Sequence, residues 1–407
     1  MKNSTKAEPM RVCMVVHQNY FDDARVRRYC EALAAEGAFI DVLCIADAAR
    51  SNTKAMNNIT VHTIPVDKDY QSKADFLLGY IHAFFLYFFK LTILHFRHRF
   101  SVVHIHNMPD FLVFTALIPR ILGTPVILDI HDIMPEFYVS KFGIQPDHYM
   151  VKVIRFQEKL STMFANAVIT ACRGFQRKLV NRGLPEKKLL VIYNTPNTGF
   201  FNREKFKEIR SAKRSRFTLI FPGTQAPRYG LDIPIRAMPE LARKIENVHL
   251  QIIGWQNDYT RELQVLAEEL GVTNRVEFIP AVPVDKVPEL LSAADLGIYP
   301  AIRDQYMDVA VPEKVFEYSL MRLPIVATRL TVLEEMFSDK AILYFESNVL
   351  DQFIARVMEI YTNSELAEEL MTQADLEYSQ EFSWVKGRLD YFRLLDGLTG
   401  KRHKLCP

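Results

Sequence analysis

Several short polar stretches in this chain follow directly on apolar runs, and their residue types could do chemistry. PGTQAPRYGLDI (222–233) puts Gly223 at the end of a strand-like run, Gly230 before the next element and Arg228 between them. A glycine-bearing turn ahead of a helix offers free backbone N–H groups and a positive dipole end to an anion. A guanidinium adds a fork suited to phosphate. The pattern is neither G-x-G-x-x-G nor a P-loop. HIHNMPD carries His104, His106, Asn107 and Asp110, and DIHDIMPEF carries Asp129, His131, Asp132 and Glu136. Near the start, HQNYFDDAR carries His17, Gln18, Asn19 and the pair Asp22–Asp23, either of which could cap the helix that follows. His104 and His106 share a strand face, so with Asp129, His131 and Asp132 they could form a zinc site. No H-x3-H helix and no cysteine supports that reading, and no metal is expected. A fifth stretch raises a question. In VPEKVFEYSLMRLPIVAT (311–328), Glu313, Lys314 and Glu317 stand beside LPIVAT, which has the profile of a buried parallel strand.

The elements that must position these residues follow a regular rhythm. RVCMVV (11–16), a helix VRRYCEALAAEGA ending at Gly37, and FIDVLCIA form a β-α-β unit, which implies a parallel sheet. Short apolar runs continue at VVHIH (102–106), PVILDIH (125–131), AVIT (167–170) and LLVIYN (189–194). The polar, basic stretch 203–216 reads as a solvated linker helix. The rhythm then restarts with FTLIFPG (217–223), VHLQIIG (248–254), RVEFIP (275–280), LGIYP (296–300) and LPIVAT (323–328). Two doubly wound α/β domains facing one cleft are expected, with ligands at the carboxyl ends of the strands. The closing segment FSWVKGRLDYFRLLDGL reads as an amphipathic helix packing through Trp384, Leu389, Phe392 and Leu395.

Composition agrees with this. The chain has 407 residues, 49% hydrophobic and 24% charged, with a net charge of +2. That is ordinary for a globular protein and leaves no nucleic-acid footprint over the whole surface. Five cysteines (13, 30, 44, 172 and 406) form no C-x-x-C pair and read as free thiols in a reducing compartment. The N-terminus has no apolar core of a secretory signal. Residues 76–100 carry a dense aromatic block, Phe84 to Phe89, followed by Lys90, His95, Arg97, His98 and Arg99. The block reads as too short and too interrupted to span a bilayer, and is suited either to a membrane interface or to the core.

Taken together, in order and spacing, DARVRRYCEALAAEGAFIDVL, VHIHNMPD, DIHDIMPE, VIYNTPN, PGTQAPRYGLDI, LQIIG, LSAADLGIYP and PEKVFEYSLMRLPIVAT resemble the retaining, nucleotide-sugar-dependent glycosyltransferases of family 4. The resemblance runs over nearly the whole chain. It implies the GT-B architecture of two Rossmann-like domains facing a central cleft. The domains would be 1–200, on the acceptor side, and 201–378, on the donor side, with 379–407 returning to the first. It implies a nucleotide-sugar co-substrate, UDP-linked before GDP-linked, and no tightly bound cofactor or metal. The family carries two glutamates eight positions apart. Glu317 matches the second, which holds the ribose hydroxyls, but the first falls at Val309, with Asp308 one residue away as a substitute. The chain matches a branch with a K-x-F-E-Y motif, in which Lys314 sits near the diphosphate or the donor sugar. Lys314 and Glu317 lie one helical turn apart and share a face, and Glu313 reads as a first-turn acid favoured by the helix dipole. The family's usual Arg and Lys in the phosphate loop are Thr224 and Tyr229 here, and Arg228 stands in for them.

The implied roles are these. His131, Arg228 and Lys314 serve catalysis, with His131 beside the donor sugar. Gly223, Thr224, Arg228, Gly254, Lys314, Val315 and Glu317 bind the donor. His17, Asn19, Asp22, His106, Asn107, Asp132 and Glu136 lie on the acceptor side. The expected activity is transfer to a glycan or lipid-linked hydroxyl in cell-surface polysaccharide or glycolipid synthesis, in the cytoplasm or at the inner face of the membrane. Alternatives are a scaffold that has lost turnover, which the missing glutamate favours, and a nucleotide-sugar epimerase.

Overall fold

The computed structural model describes residues 9–46, 54–66, 73–211 and 215–400. Cys406 and residues 212–214 of the basic stretch lie outside them. The chain divides into two compact units. One comprises residues 1–139, 143–194 and 384–407, and the other residues 140–142 and 195–383.

The N-terminal unit is built on an eight-stranded sheet. Its strands are β1 (Arg11–Val15), β2 (Phe39–Ile45), β3 (Lys54–Met56), β4 (Ile59–Ile64), β5 (Val102–His106), β6 (Val126–Ile130), β7 (Ala167–Thr170) and β8 (Leu189–Val191). Their order is β3-β4-β2-β1-β5-β6-β7-β8, parallel throughout except for the β3–β4 pair. Helices cover both faces of such a sheet, so its central strands are buried along their whole length. β5 and β6 have no exposed residue. Helix α1 (Ala24–Ala35) begins where the Asp23 carboxylate accepts a hydrogen bond from the Val26 N–H at 2.9 Å, and it is followed by Gly37 at φ 83°. That positive φ is easy for glycine and costly for other residues.

Helices α2 (Lys73–His98), α3 (Leu117–Ile121), α4 (Met134–Phe142) and α5 (Tyr149–Phe164) follow, with a 3₁₀ segment, Asp110–Ala116, before α3. By length and composition α2 could cross a membrane, contrary to the sequence expectation. However, Ala83, Tyr87, Leu91 and Leu94 are buried along its inner side, and the Tyr87 hydroxyl donates to the Val16 carbonyl at 3.1 Å. The aromatic block divides accordingly. Phe84 packs near Phe111 at 6.2 Å between rings, whereas Phe85 and Phe89 are exposed. The last helix, Trp384–Thr399, places Tyr391, Phe392 and Leu395 in the core with Val12, Tyr29 and Leu33.

The C-terminal unit holds six parallel strands. They are β9 (Phe217–Pro222), β10 (Val248–Gly254), β11 (Val276–Pro280), β12 (Leu296–Tyr299), β13 (Ile325–Thr328) and β14 (Leu343–Phe345), in the order β11-β10-β9-β12-β13-β14. This is the doubly wound order whose direction reverses between the first and fourth strands, where ligands bind beyond the carboxyl ends. Those strands are β9 and β12, and Gly223 is the first residue past β9.

Candidate active site

In the C-terminal unit the site grows from the helix Glu313–Leu320. Val315, Phe316, Tyr318 and Ser319 are buried, leaving Lys314 and Glu317 toward the open side. Tyr318 fixes the helix. Its hydroxyl lies 3.2 Å from the Ile220 carbonyl oxygen and 3.1 Å from that of Ile298, bridging β9 and β12 at the point where the sheet order reverses. Its ring lies flat over Gly297, where a Cβ would meet the ring carbons at 2.7 Å. Val315, expected on the donor side, lies on the inner face of this helix. Its side chain is buried, its N–H donates to the Pro312 carbonyl and its own carbonyl accepts from the Ser319 hydroxyl.

Lys314 extends back over the end of β9. The side chain crosses Gly223 so closely that a Cβ there would overlap its terminal carbon and nitrogen. Gly223 has φ 141°, a second reason for glycine. The ammonium lies 5.1 Å from the centre of the Phe221 ring and 5.0 Å from that of Tyr229. Tyr229, which stands where the resembled family places a lysine, therefore forms part of the lysine's aromatic seat. The Arg228 guanidinium lies over the same ring, 5.1 Å from its centre. Thr224 is exposed, and Gly254 packs its backbone against the Gly223 carbonyl. Trp255, the next residue, is 82% exposed.

Glu317 is half-buried, and its carboxylate accepts no hydrogen bond from the described residues. Burial raises its carboxyl first and the like charge of Glu313 next, against the pull of Lys314, to a pKa of about 7. Asp308 is differently placed. Oδ1 accepts from the Thr331 N–H at 2.8 Å and Oδ2 from Arg303 Nε at 3.2 Å, so this carboxylate is committed to holding a loop. Val309 is buried.

In the N-terminal unit, the ends of β5 and β6 bring His104, His106, Asp129 and His131 together. Arg25, from α1, donates to both oxygens of Asp129 and to the Ile192 carbonyl. His131 Nε2 lies 3.1 Å from His106 Nδ1 and 3.5 Å from Asp129 Oδ2, and His106 Nδ1 lies 3.4 Å from the same oxygen. His104 stacks near His106 at 4.2 Å between rings and meets the Tyr391 hydroxyl at 3.0 Å. Burial opposes charge on Asp129, but Arg25 and His131 outweigh it and hold the carboxyl well below its usual range. Burial likewise opposes charge on His131, yet Asp129 prevails and its pKa is raised. For His106 and His104 burial wins and the pKa is lowered.

His104, His106 and Asp129 offer three ligand atoms within 4.8 Å of one another. The donor set does not suit a dication, because both Asp129 oxygens already face the Arg25 guanidinium.

Asn107 ties the two loops together. Its amide donates to Asp110 at 2.8 Å and to the Asp132 carbonyl at 2.7 Å, and its oxygen accepts from the His131 N–H at 2.7 Å. Asn107 and His106 are buried, as is Glu136, whose carboxylate pairs with Arg182. Arg182 also binds Glu158. His17, half-buried, lies 4.8 Å from the Tyr80 ring. Asn19 Oδ1 accepts from the Phe21 N–H, and Asp22 is exposed. Arg25, Tyr318 and Trp255 were missed by sequence reasoning. Arg25 stands in the DARVRRYC stretch, where a charge on the inner face of a helix was the available signal.

Two family models together match most of the chain. Residues 23–195 match the glycosyl transferase 4-like domain and residues 202–376 match glycosyl transferases group 1. An uncharacterised glycosyltransferase of Methanocaldococcus jannaschii is 25% identical over 317 residues, covering 74% of this chain and 77% of that one. A GDP-mannose-dependent alpha-(1-6)-phosphatidylinositol monomannoside mannosyltransferase of Mycolicibacterium smegmatis is 36% identical over 105 residues, 25% of this chain and 27% of that one. The solved structure of Anabaena HepE in complex with UDP and glucose superposes with a TM-score of 0.70 at 17% identity, covering 95% of this chain and 100% of that one. The chain belongs to the GT-B glycosyltransferases, and the protein is a glycosyltransferase.

Proposed function

We propose that this glycosyltransferase moves a sugar from a nucleoside-diphosphate sugar, with retention at the anomeric carbon, to a hydroxyl of a glycan or lipid-linked acceptor in cell-surface polysaccharide or glycolipid synthesis. The observation that carries the reading is the Lys314 ammonium laid across Gly223, with Glu317 one turn further along the same helix. A cation over the backbone at the end of β9 suits a diphosphate, and a carboxylate that accepts no hydrogen bond from the described residues suits ribose hydroxyls. UDP is the expected nucleotide, as in the Anabaena complex, and GDP is the alternative that the mannosyltransferase relative raises. The K-x-F-E-Y branch of family 4 is the expected subgroup.

In this reading the bond from the anomeric carbon to the diphosphate oxygen breaks while a bond to the acceptor oxygen forms on the same face. The acceptor proton passes to a diphosphate oxygen. Lys314, Arg228 and the Gly223 backbone stabilise the leaving group, and His131 steadies the sugar as positive charge develops. The C-terminal unit serves the donor and the N-terminal unit the acceptor, with His17, Asn19 and Asp22 on its rim. Residues 76–100 touch a membrane from the cytoplasmic side. Incubation with a panel of radiolabelled UDP- and GDP-sugars and lipid acceptors tests the reading. Stoichiometric nucleoside diphosphate release with label in an α-linked product is expected. An epimerised donor without nucleotide release, or no turnover of any donor, would overturn it.

A further inference from the structure

We propose that α2, α3 and α5 together form one docking face for an anionic lipid bilayer. This deepens the membrane contact proposed above for residues 76–100, and it brings in two helices that no sequence pattern singled out. On α2, Phe85, Phe89 and Phe96 are 50%, 59% and 64% exposed, at a spacing that keeps them on one side. On α5, Phe156 and Met163 are 62% and 61% exposed on a comparable stripe, and on α3 Ile121 is 70% exposed. These helices are neighbours. Phe84 of α2 packs by Phe111 of the 3₁₀ segment, Phe114 of that segment meets Phe164 of α5 at 5.1 Å, and Arg120 of α3 covers the Phe164 ring at 5.4 Å. Isolated exposed apolar side chains are ordinary, but three adjacent helices each turning such a stripe outward call for a partner.

Charge identifies the partner. The three helices hold seven Lys and Arg against two acids, Asp75 and Glu158, although the net charge of the whole chain is only +2. Glu158 is buried against Arg182. Among the described residues, no acidic side chain is exposed on any of the three helices. A second copy seated on this face would bring cation against cation with, among the described residues of the three helices, no exposed acid to pair them, since a two-fold interface meets its own surface. An anionic bilayer meets both requirements, with aromatic rings at headgroup depth and cations toward lipid phosphates. The helices lie on the surface rather than across it, because the inner side of α2 is part of the unit's core.

The test is co-sedimentation of the full chain with phosphatidylcholine vesicles, with and without phosphatidylglycerol, at low and high salt. Binding is expected to need phosphatidylglycerol and to fall with salt. Lys152→Glu with Lys159→Glu on α5 is expected to weaken partitioning about five-fold or more per cation removed. Phe156→Glu with Met163→Glu is expected to abolish it as fully as Phe89→Glu with Phe96→Glu on α2. Each variant is checked for unchanged UDP affinity, which reports the C-terminal unit. Wild-type binding by both α5 variants, with loss only in the α2 variant, overturns the three-helix face and leaves the α2 contact standing. No sedimentation of the wild type with any vesicle overturns both. Dimers that the same substitutions dissociate show a second copy in the lipid's place and overturn it too. Vesicle binding without turnover of any donor counts against the transfer reading alone and leaves this one intact.

Discussion

Arg25 grips Asp129 at two points, Nε to Oδ2 and Nη2 to Oδ1, each at 2.9 Å, with the two side chains 4% and 0% exposed. The ion pair lies under the histidine cluster, so it charges the floor on which His131 rests. Breaking one side of a buried pair strands the other. Arg25→Met is therefore expected to destabilise the N-terminal unit by about 3–5 kcal/mol, and Arg25→Met with Asp129→Leu is expected to recover much of that loss. Urea unfolding followed by Trp384 fluorescence in a Trp255→Phe background isolates this unit, since Trp384 packs 5.5 Å from the Tyr29 ring. The sign with pH is fixed by the depressed Asp129 pKa. Its contribution is complete above the ordinary carboxyl pKa of about 3.9 and is lost only as pH falls through the lower folded value. A single Arg25→Met that unfolds like wild type would refute the account.

The three clustered rings should separate on titration. His131 is expected to gain its proton first on acidification, above the ordinary value of about 6.5, with His106 staying neutral below that value and His104 well below it. Asp129→Asn should lower the His131 pKa, because the carboxylate is what raises it, and Arg25→Met should raise it by removing an opposing cation. Side-chain nitrogen NMR reads all three. A His131 that titrates below His106 contradicts the arrangement.

The sequence carried much of this but not all. The strands of the central sheets were legible where burial on both faces leaves an apolar run, as in AVIT, which matches β7 residue for residue, or where apolar residues alternate with half-buried polar ones between turn signals, as in VHLQIIG, which matches β10. The β3–β4 edge was not, because ITVHTI mixes polar residues into its run. His62 is there because it meets Asp41 of β2 at 2.6 Å, a partner 21 residues away. Lys314 and Glu317 were legible as charges beside a buried strand. Arg25 and Tyr318 were not, because each acts through partners distant in sequence, Asp129 and Ile192 for one and the Ile220 and Ile298 carbonyls for the other. The side of the helix on which Val315 lies was not legible either, because the motif alternates core residues, Val315, Phe316 and Tyr318, with the half-buried Lys314 and Glu317.

Tyr318 should set the position of Lys314 and Glu317 without touching a ligand. Tyr318→Phe removes the hydroxyl between β9 and β12 and is expected to cost about 1–3 kcal/mol, because the one donor hydrogen shared by the two buried carbonyl oxygens is lost. Gly297→Ala forces the ring away and is expected to cost about 1–3 kcal/mol by overpacking. Both should raise the donor KM. Thermal unfolding with UDP titration checks this, and unchanged stability in both variants would exclude the anchoring role.

Glu317 should make nucleotide binding depend on pH. Its carboxyl in the free protein titrates at about 7, so a ligand that needs the carboxylate binds best above that value and more weakly as pH falls through it. UDP titrates in the same region, but equally for wild type and Glu317→Gln, so the difference between their calorimetric affinity curves isolates the side chain. Glu317→Ala is expected to lose about 1.5–3 kcal/mol of UDP affinity at pH 8. Parallel curves for wild type and Glu317→Gln would remove Glu317 from the ribose.

Lys314 and Arg228 flank the same ring, Tyr229, with the ammonium 5.0 Å and the guanidinium 5.1 Å from its centre. Two cations on one aromatic residue repel each other, and a bound anion relieves that repulsion. The leaving diphosphate carries more charge in the transition state than in the bound sugar donor, so the two cations should matter most to turnover. Lys314→Ala and Arg228→Ala are each expected to lower kcat by about ten-fold to a thousand-fold, with a smaller change in donor KM. The double variant should lose less than the product of the two single losses, because the survivor no longer works against a neighbour. Steady-state kinetics on the four proteins decides it. Losses confined to KM would assign the pair to ground-state binding, and full turnover in the double variant would remove both residues from the reaction.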